Sequence, residues 1–255
     1  MTILQSIILG LVEGFTEFLP ISSTAHLILT SKLLQLETSE FLKTFEIAIQ
    51  LGTITAVGIL YRNIFLKNWE ANKKIVVAFL PTAIIGLAFY KIVKNVFLAN
   101  PAISIWALLI GGVVIIIFEK FHHDDKATIL DISGISYSKS FLIGLAQSVS
   151  IIPGVSRAAA TIIGGLAMGI DRKTIVEFSF LLAVPTMIAA TGLDLLKSYQ
   201  SFSGADFLTL GAGFIVSFAT AMVSISWLLK YIKKNNFTYF GIYRMIIALT
   251  FLFFI

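Results

Sequence analysis

The stretch GLVEGFTEFLPISSTAHLIL, residues 10–29, decides the fold of this chain. It is apolar enough for a membrane, yet it carries two carboxylates, a proline, three consecutive hydroxyl residues and a histidine. Ionisable side chains at membrane depth are costly, and by default they mark a functional site. Glu13 and Glu17 are four residues apart, so on a helix they share one face. Pro20 is expected to break that helix because it cannot donate an i→i−4 hydrogen bond.

Hydroxyl residues follow the break directly. Ser22, Ser23 and Thr24 are candidate N-caps for a second helix. His26 comes three residues after Ser23, and it shares the face of these hydroxyls if the helix resumes there. A simpler interpretation is that the carboxylates and the histidine line a water-filled crevice, with the hydroxyls as caps. Because so many polar side chains converge on one helix break, we favour a functional site.

The composition is that of a membrane protein. Of the 255 residues, 57% are hydrophobic and only 13% are charged, whereas soluble domains have about 25% charged residues. The fold class predicted is an all-α polytopic membrane protein that forms a single domain over 1–255. Cysteine is absent, so the chain has no disulfide framework or thiol ligands. The net charge of +5 is interpreted as orientation charge, with no nucleic acid partner.

Apolar segments predict six spans and two re-entrant hairpins. The spans are expected at about 45–61, 75–90, 101–118, 177–196, 207–229 and 239–255. The regions 2–34 and 140–168 are each interrupted, and their second arms, 22–34 and 156–168, are too short to cross a bilayer, which takes roughly 20 residues. Irregular backbone survives at that depth only when protein or a wet cavity surrounds it. The hairpin tips are expected at 19–23 and 153–156, near the midplane.

The basic residues predict an orientation. Alternate loops (62–74, 119–139, 169–176 and 230–238) carry twelve Lys and Arg residues, against four in the remaining loops. The positive-inside rule places the first set in the cytoplasm and both termini outside. The protein is therefore expected to be multi-pass in the inner (cytoplasmic) membrane.

The second interrupted region repeats the first. GLAQSVSIIPGVSRAAATII begins at Gly144, with Gln147 opposite Glu13 and, after a one-residue gap, Pro153 opposite Pro20 and Ser156 opposite Ser23. Each half, about 1–120 and 138–255, then contains one re-entrant hairpin and three transmembrane helices. Three is odd, so the second half enters from the opposite side. This is an inverted-topology repeat, in which broken helices meet near the midplane and build a site.

The two tips together are suited to a phosphate group. Helix N-termini near Ser22 and Ser156 present free N–H groups and positive dipole ends. Gly154 permits close backbone approach, and Arg157 offers a fork for phosphate oxygens, although it also suits a structural ion pair with Glu13 or Glu17. A divalent cation, Mg²⁺ or Ca²⁺, held by Glu13 and Glu17 would reconcile the carboxylates with a diphosphate. A serine and His26 then suggest nucleophilic displacement at phosphorus.

The motifs EGFTEFLPISSTAH at 13–26 and PGVSR at 153–157 closely resemble the undecaprenyl-diphosphatase family of the bacitracin-resistance type. FEIAIQLG at 45–52 and FSFLLAVP at 178–185 extend the resemblance along the chain. The chain departs from the family pattern at Ala25, where Gly is frequent, and at Ala158-Ala159, where Ser-Gly is frequent. The second departure puts in doubt a role for a third hydroxyl after Arg157.

The resemblance implies a divalent-cation-dependent membrane hydrolase. It would convert undecaprenyl diphosphate to undecaprenyl phosphate and so recycle the lipid carrier of cell-wall (peptidoglycan) synthesis, with a site that opens to the outer, periplasmic face. By motif position, Glu13 and Glu17 match the acidic pair, Ser23 the nucleophile and His26 the histidine. Ser156 and Arg157 match the pair of the second motif. Ser22, Thr24 and Gly154 are expected to bind substrate, and the possibility of a homodimer stays open.

Two other functions compete with hydrolysis. A transporter or flippase for a phosphate-bearing lipid would also use an inverted repeat, but an anion carrier gains little from two carboxylates. An ion channel is disfavoured because no ring of repeated polar residues is apparent. Whether Ser23 attacks phosphorus or only assists water is left open by the sequence.

Overall fold

The computed structural model describes residues 1–37, 39–97, 100–123, 127–198 and 207–252, with the backbone alone at 40, 43, 44, 94 and 193–198. This part of the chain is helical, with one isolated bridge between Ile129 and Ile170. Its helices are α1 (Ile3–Thr16), α2 (Ser23–Leu33), α3 (Glu40–Leu60), α4 (Arg62–Lys67), α5 (Trp69–Ile92), α6 (Pro101–Phe121), α7 (Tyr137–Ser148), α8 (Arg157–Ala167), α9 (Arg172–Ser198), α10 (Phe207–Tyr231) and α11 (Thr238–Leu252). A π-helical turn, Val93–Phe97, follows α5, and short 3₁₀ turns lie at Ile132–Gly134 and Val149–Ile151.

Four helices of the described chain, α5, α6, α9 and α10, are long and apolar enough to cross a membrane. The apolar parts of α3 and α11 are shorter over the described residues, and residues 253–255 of the last predicted span lie outside them. The chain is therefore an all-α polytopic membrane protein, as predicted. Full crossing by α3 and α11 stays a prediction.

Polar residues set the helix starts. Thr2 and Gln5 form a capping box at α1, and Ser39, Asn68 and Ser136 accept N–H bonds at the starts of α3, α5 and α7. Such caps satisfy N–H groups that no intrahelical carbonyl reaches. The chain therefore marks its own helix boundaries with short polar side chains between apolar runs.

The hairpin arms have the predicted lengths. With 14 and 11 residues, α1 and α2 reach only ~21 and ~16 Å at 1.5 Å per residue, against a hydrocarbon core of about 30 Å. The second pair, α7 and α8, has 12 and 11 residues. Within each pair the arms pack against each other, so neither hairpin can cross the bilayer.

Helix packing follows the predicted repeat. The first arm of each hairpin packs on a span of the other half, α1 on α10 and α7 on α5. Helix α10 also packs on α3, which follows the first hairpin, and α5 also packs on α9, which follows the second hairpin. The last helices of the two halves, α6 and α11, pack on each other. Such reciprocal packing, in which each half supplies the same helix to the other half, is expected of two related halves. The exact division at about 1–120 and 138–255 stays a prediction.

Two aligned glycines make equivalent crossings. A Cβ added at Gly10 would meet the Gly213 carbonyl of α10, and one added at Gly144 would meet the Ala78 carbonyl of α5. Small residues allow such close backbone approach between membrane helices. Ser6 and Ser140, four residues earlier in each arm, are both fully buried. The first arms of the hairpins are therefore seated in the same way.

The four loops predicted to be cytoplasmic meet at one end of the bundle. Arg172 forms a two-pronged ion pair with Glu119, at 2.5 and 3.0 Å, and Glu119 also accepts the Phe237 N–H at 3.0 Å. Lys74 donates to the Ser133 carbonyl, joining the remaining loop. All four loops therefore lie on the same side, as the charge count requires.

Candidate active site

The first tip lies between α1 and α2. Helix α1 ends at Thr16, four residues before Pro20, because proline has no N–H to give to that carbonyl. The chain turns through 17–22 and helix resumes at Ser23. Ser22 precedes α2 with φ 69°, a left-handed conformation that is uncommon for a residue with a side chain.

The second tip reproduces this geometry. Ser156 precedes α8 with φ 75°, and its hydroxyl accepts the Ala159 N–H at 3.2 Å. Gly154 has φ 97°, and a Cβ there would clash with the Ser104 carbonyl of α6. A left-handed serine thus precedes the second arm of both hairpins. Strained residues of this kind cost about 1–3 kcal/mol each and persist only where their surroundings enforce them.

Glu17 joins the two tips. Its Oε2 accepts a short hydrogen bond from the Ser23 hydroxyl, and its Oε1 lies 3.1 Å from Arg157 Nη2. The side chains of Glu17 and Arg157 are only 9% and 10% exposed, so water screens this pair weakly. A carboxylate that accepts a serine proton and touches an arginine can activate that serine beside a cationic phosphate site.

Besides its contact with Glu17, the guanidinium of Arg157 is hydrogen-bonded to α9. Its Nη1 donates to the carbonyl and the hydroxyl of Ser179 on α9, at 2.7 and 3.3 Å. Ser179 is itself hydrogen-bonded to Thr161 of α8 at 2.6 Å. The buried Nε of Arg157 has no partner. The guanidinium is therefore fixed in direction and retains a donor for a ligand oxygen.

Glu13 is fully buried, and neither carboxylate oxygen has a hydrogen-bond partner. Glu46 of α3 lies near enough to add like-charge repulsion. Isolated buried charges cost several kcal/mol, so a cation or a proton is required here. An unpartnered carboxylate beside Glu17 fits a divalent cation. Because the described residues contain no cluster of three or more His, Cys, Asp or Glu side chains that could hold a metal, such an ion would need phosphate oxygens or water as further ligands.

His26 forms no hydrogen bond with Ser23, so the Ser23–His26 pairing expected from the sequence is not seen in this structure. The ring Nδ1 lies 2.7 Å from the Ser22 carbonyl, which can only accept, so Nδ1 carries a proton. The Nε2 lies 2.9 Å from the Tyr243 hydroxyl, and the two rings stack 5.6 Å apart. Both ring nitrogens are engaged, and the hydroxyl of Ser23 turns back to Glu17 instead.

An apolar cavity of about 590 Å³ opens beside this histidine. Its walls come from α1, the first tip, α2, α10 and α11, and they include His26, Thr30, Trp227 and Tyr243. Its walls are mostly apolar, and Glu17, Ser23 and Arg157 are not among the residues that line it. The cavity therefore suits a hydrocarbon chain that lies beside the polar residues of the tips.

The structure brings some of the predicted residues into direct contact and leaves others apart. Ser23, Glu17 and Arg157 form one connected set, whereas Ser22 and Ser156 lie buried at the tips. Thr24 is half-buried in the first turn of α2. Sequence reasoning missed Ser179, Tyr243 and Arg244. An arginine within the apolar segment 239–255 was a usable signal for the last of these.

Comparison with known proteins agrees with the geometry. The model of the family described as bacitracin resistance protein BacA matches residues 6–250. Undecaprenyl-diphosphatases from Sulfurihydrogenibium sp. (strain YO3AOP1) and Persephonella marina are each 49% identical to this chain, over 98% and 100% of both sequences. The undecaprenyl-diphosphatase of Aquifex aeolicus is 46% identical over 98% of both. This chain therefore belongs to the bacitracin resistance protein BacA family.

Proposed function

We propose that this chain is an undecaprenyl-diphosphate phosphatase. It hydrolyses undecaprenyl diphosphate to undecaprenyl phosphate and inorganic phosphate, and so returns the lipid carrier to cell-wall synthesis. The observation that carries the proposal is the contact of Glu17 with both Ser23 and Arg157. Relatives of 46–49% identity that bear this name support it.

Ser23 is the nucleophile in this mechanism and Glu17 is its base. As the Ser23 oxygen bonds to the terminal phosphorus, its proton passes to Glu17 along the existing hydrogen bond. The bond from phosphorus to the bridging oxygen breaks, and that oxygen keeps the electron pair as undecaprenyl phosphate leaves. Glu17 gives this proton to the departing phosphate. Glu17 then takes a proton from a water molecule that attacks the phosphoserine, the bond from phosphorus to the Ser23 oxygen breaks, and Glu17 returns the proton to that oxygen as inorganic phosphate leaves.

The remaining residues bind and orient the diphosphate. Arg157, fixed by Ser179, holds the terminal phosphate with its free Nε donor. The N–H groups at the starts of α2 and α8 face phosphate oxygens, and Ser22, Thr24, Gly154 and Ser156 shape that surface. Glu13, with Glu17, would hold a divalent cation, Mg²⁺ or Ca²⁺, which supplies positive charge to the phosphate oxygens when bound.

His26 acts on the lipid side of the substrate. It lines the apolar cavity and is hydrogen-bonded to Tyr243. With the prenyl chain in this cavity, the leaving phosphate lies beside the His26–Tyr243 pair, and the Tyr243 O–H donates to it when a second proton on His26 supplies the hydrogen bond between the two side chains. The serine and the histidine therefore serve opposite ends of the diphosphate, which explains why they do not touch.

The proposed location is the inner membrane, with the site open to the outer, periplasmic face. The twelve-to-four distribution of basic residues and the meeting of the basic loops at one end support it. Because the chain has no native cysteine, single cysteines at Lys67 and Lys233 can be labelled selectively. Both should react with an impermeant thiol reagent only from the cytoplasmic side, and labelling from outside would contradict this orientation. Assembly as a homodimer stays a prediction, for which crosslinking in detergent is the measurement.

The decisive experiment is phosphate release from undecaprenyl diphosphate by the purified protein, with and without Mg²⁺. Ser23→Ala should reduce turnover by more than tenfold, whereas Ser6→Ala, which removes another buried serine hydroxyl from α1, should be near wild type. Retention of more than about a tenth of the activity by Ser23→Ala, a cost below ~1.4 kcal/mol, would exclude covalent catalysis by Ser23. A lipid transporter is not favoured, because carriage gives the Ser23–Glu17 contact no role.

A further inference from the structure

Arg244 of α11 is the largest fully buried side chain in the described protein. It lies in an apolar helix, and no carboxylate of the described residues pairs with it. Charged groups in such positions are expensive and need a specific set of partners. Its partners here are backbone carbonyl oxygens, so the positive charge of the guanidinium is surrounded only by the partial negative charges of those oxygens.

The guanidinium bonds to the two hairpin tips at once. Its five N–H groups all have acceptors, and these acceptors come from α6, the first tip and the second tip. The distances are 3.2 Å from Nε to Leu108 O, 3.1 Å from Nη2 to Ala107 O, 3.1 Å from Nη1 to Pro20 O, 2.9 Å from Nη1 to Val155 O and 2.9 Å from Nη2 to Gly154 O.

Helix α6 is shaped to admit this side chain. A Cβ added at Gly111 would fall on the guanidinium, with Nη2 as its nearest atom. A Cβ added at Gly112 would first meet the Gly241 carbonyl, so this glycine allows α6 and α11 to approach closely. A general anchor between α6 and α11 would need only the two α6 carbonyls. Three of the five bonds instead go to the tips.

These three carbonyls precede the residues proposed to act on the substrate. Pro20 comes three residues before Ser23, and Val155 comes two residues before Arg157. A peptide unit is planar and trans, so fixing the Val155 carbonyl also fixes the Ser156 N–H in the opposite direction. Both serines at the tips hold left-handed φ angles, which require an external constraint. Arg244 supplies that constraint to both tips from a single group.

We propose that Arg244 is a positioning residue that sets the separation and orientation of the two tips, so that Ser23 and Arg157 contact the same phosphate group. The proposal rests on the proposed phosphatase function. The structural part of the proposal, a fixed distance and orientation between the tips, can be tested without measuring turnover. Arg244 itself does not touch the substrate.

The absence of native cysteine allows the tip separation to be measured directly. Spin labels at Phe15→Cys and Val149→Cys, exposed positions next to the two tips, report the distance distribution by pulsed electron resonance. Arg244→Lys keeps the charge but has three donors in place of five. We expect a broader distribution and a kcat at least tenfold lower, with KM changed less than threefold. A narrow distribution with wild-type kcat would overturn the proposal.

Arg172→Lys is the matched control, because Arg172 is a buried arginine that pairs with Glu119 at the other end of the bundle. It should lower Tm without broadening the distance between the tips, and equal broadening in this variant would contradict the proposal. Gly111→Ala provides a second test if Arg244→Lys does not fold, since its methyl group displaces the guanidinium while the arginine remains. Failure of both variants to fold would assign Arg244 to general stability and overturn the proposal. Absence of phosphate release by the wild-type protein would refute the phosphatase function, while the distance measurement would still test the positioning role.

Discussion

The substitution Glu17→Gln removes the charge of the carboxylate that contacts Ser23 and Arg157, but it keeps nearly the same side-chain shape. In the native site one oxygen of Glu17 accepts a hydrogen bond from the Ser23 hydroxyl, and the other lies 3.1 Å from Arg157 Nη2. A glutamine has nearly the same volume but only one carbonyl oxygen. If that oxygen faces Arg157, the amide nitrogen faces Ser23 and can no longer take its proton. If it faces Ser23, two donor groups oppose each other at Arg157.

The expected loss follows from these two geometries. A positioned general base contributes typically about 10²–10⁴-fold to a rate, which corresponds to ~2.7–5.4 kcal/mol at 1.36 kcal/mol per tenfold. Arg157 keeps its two bonds to Ser179, so it is not left wholly unpaired. We therefore expect kcat to fall by at least 10²-fold, while Tm falls less than in a variant that removes Arg157.

The assay is phosphate release at saturating undecaprenyl diphosphate, together with thermal unfolding in the same detergent. Glu177→Gln is the matched control, because Glu177 belongs to α9 and has a loose contact of 3.9 Å with Lys173. This control should retain wild-type kcat. A Glu17→Gln enzyme within threefold of wild type, with native Tm, would refute the assignment of Glu17 as the base.

Three further variants test the other parts of the site. Arg157→Lys keeps the charge but loses the planar fork, and we expect a loss of about 3 kcal/mol in kcat/KM, typical of one preorganised donor; near-normal turnover would make Arg157 structural. Glu13→Gln replaces the carboxylate with a neutral amide, so it should weaken the Mg²⁺ dependence of activity; an unchanged Mg²⁺ titration would exclude Glu13 as a ligand. Tyr243→Phe keeps the stacking on His26 but loses one hydrogen bond of about 0.5–1.5 kcal/mol, so kcat should fall by between two- and tenfold, and no change would separate this pair from catalysis.

The sequence predicted the broken helices well, because their causes are local. Pro20 and the polar run after it end one helix and start another within a few residues, and the predicted arm 22–34 is observed at Ser23–Leu33. The arm predicted at 156–168 is observed at Arg157–Ala167. Apolar length and the scarcity of charge were sufficient for the four spans α5, α6, α9 and α10, since hydrocarbon admits few alternatives.

The contacts within the site were harder to predict, because they depend on long-range packing. Ser23 and His26 lie three residues apart in α2, so helical spacing alone allows them to meet. Instead, the Ser23 hydroxyl bonds to Glu17, and His26 bonds to the Ser22 carbonyl and to Tyr243 of α11. Arg244 bonds to a carbonyl 224 positions away in the chain. No local pattern encodes such a pair, although an arginine in an apolar span signals that some partner exists.

The charge balance of the tips explains why an acidic site can hold an anionic substrate. Arg157 and Arg244 provide two positive charges, against Glu13, Glu17 and the nearby Glu46. Glu17 is matched by Arg157, and Arg244 is matched only by carbonyl dipoles, at the backs of both tips. The uncompensated positive charge therefore lies behind the phosphate-binding N–H groups, and the uncompensated negative charge lies at Glu13. A diphosphate would complement the first charge, and a divalent cation or a proton would complement the second, because an isolated buried charge costs several kcal/mol.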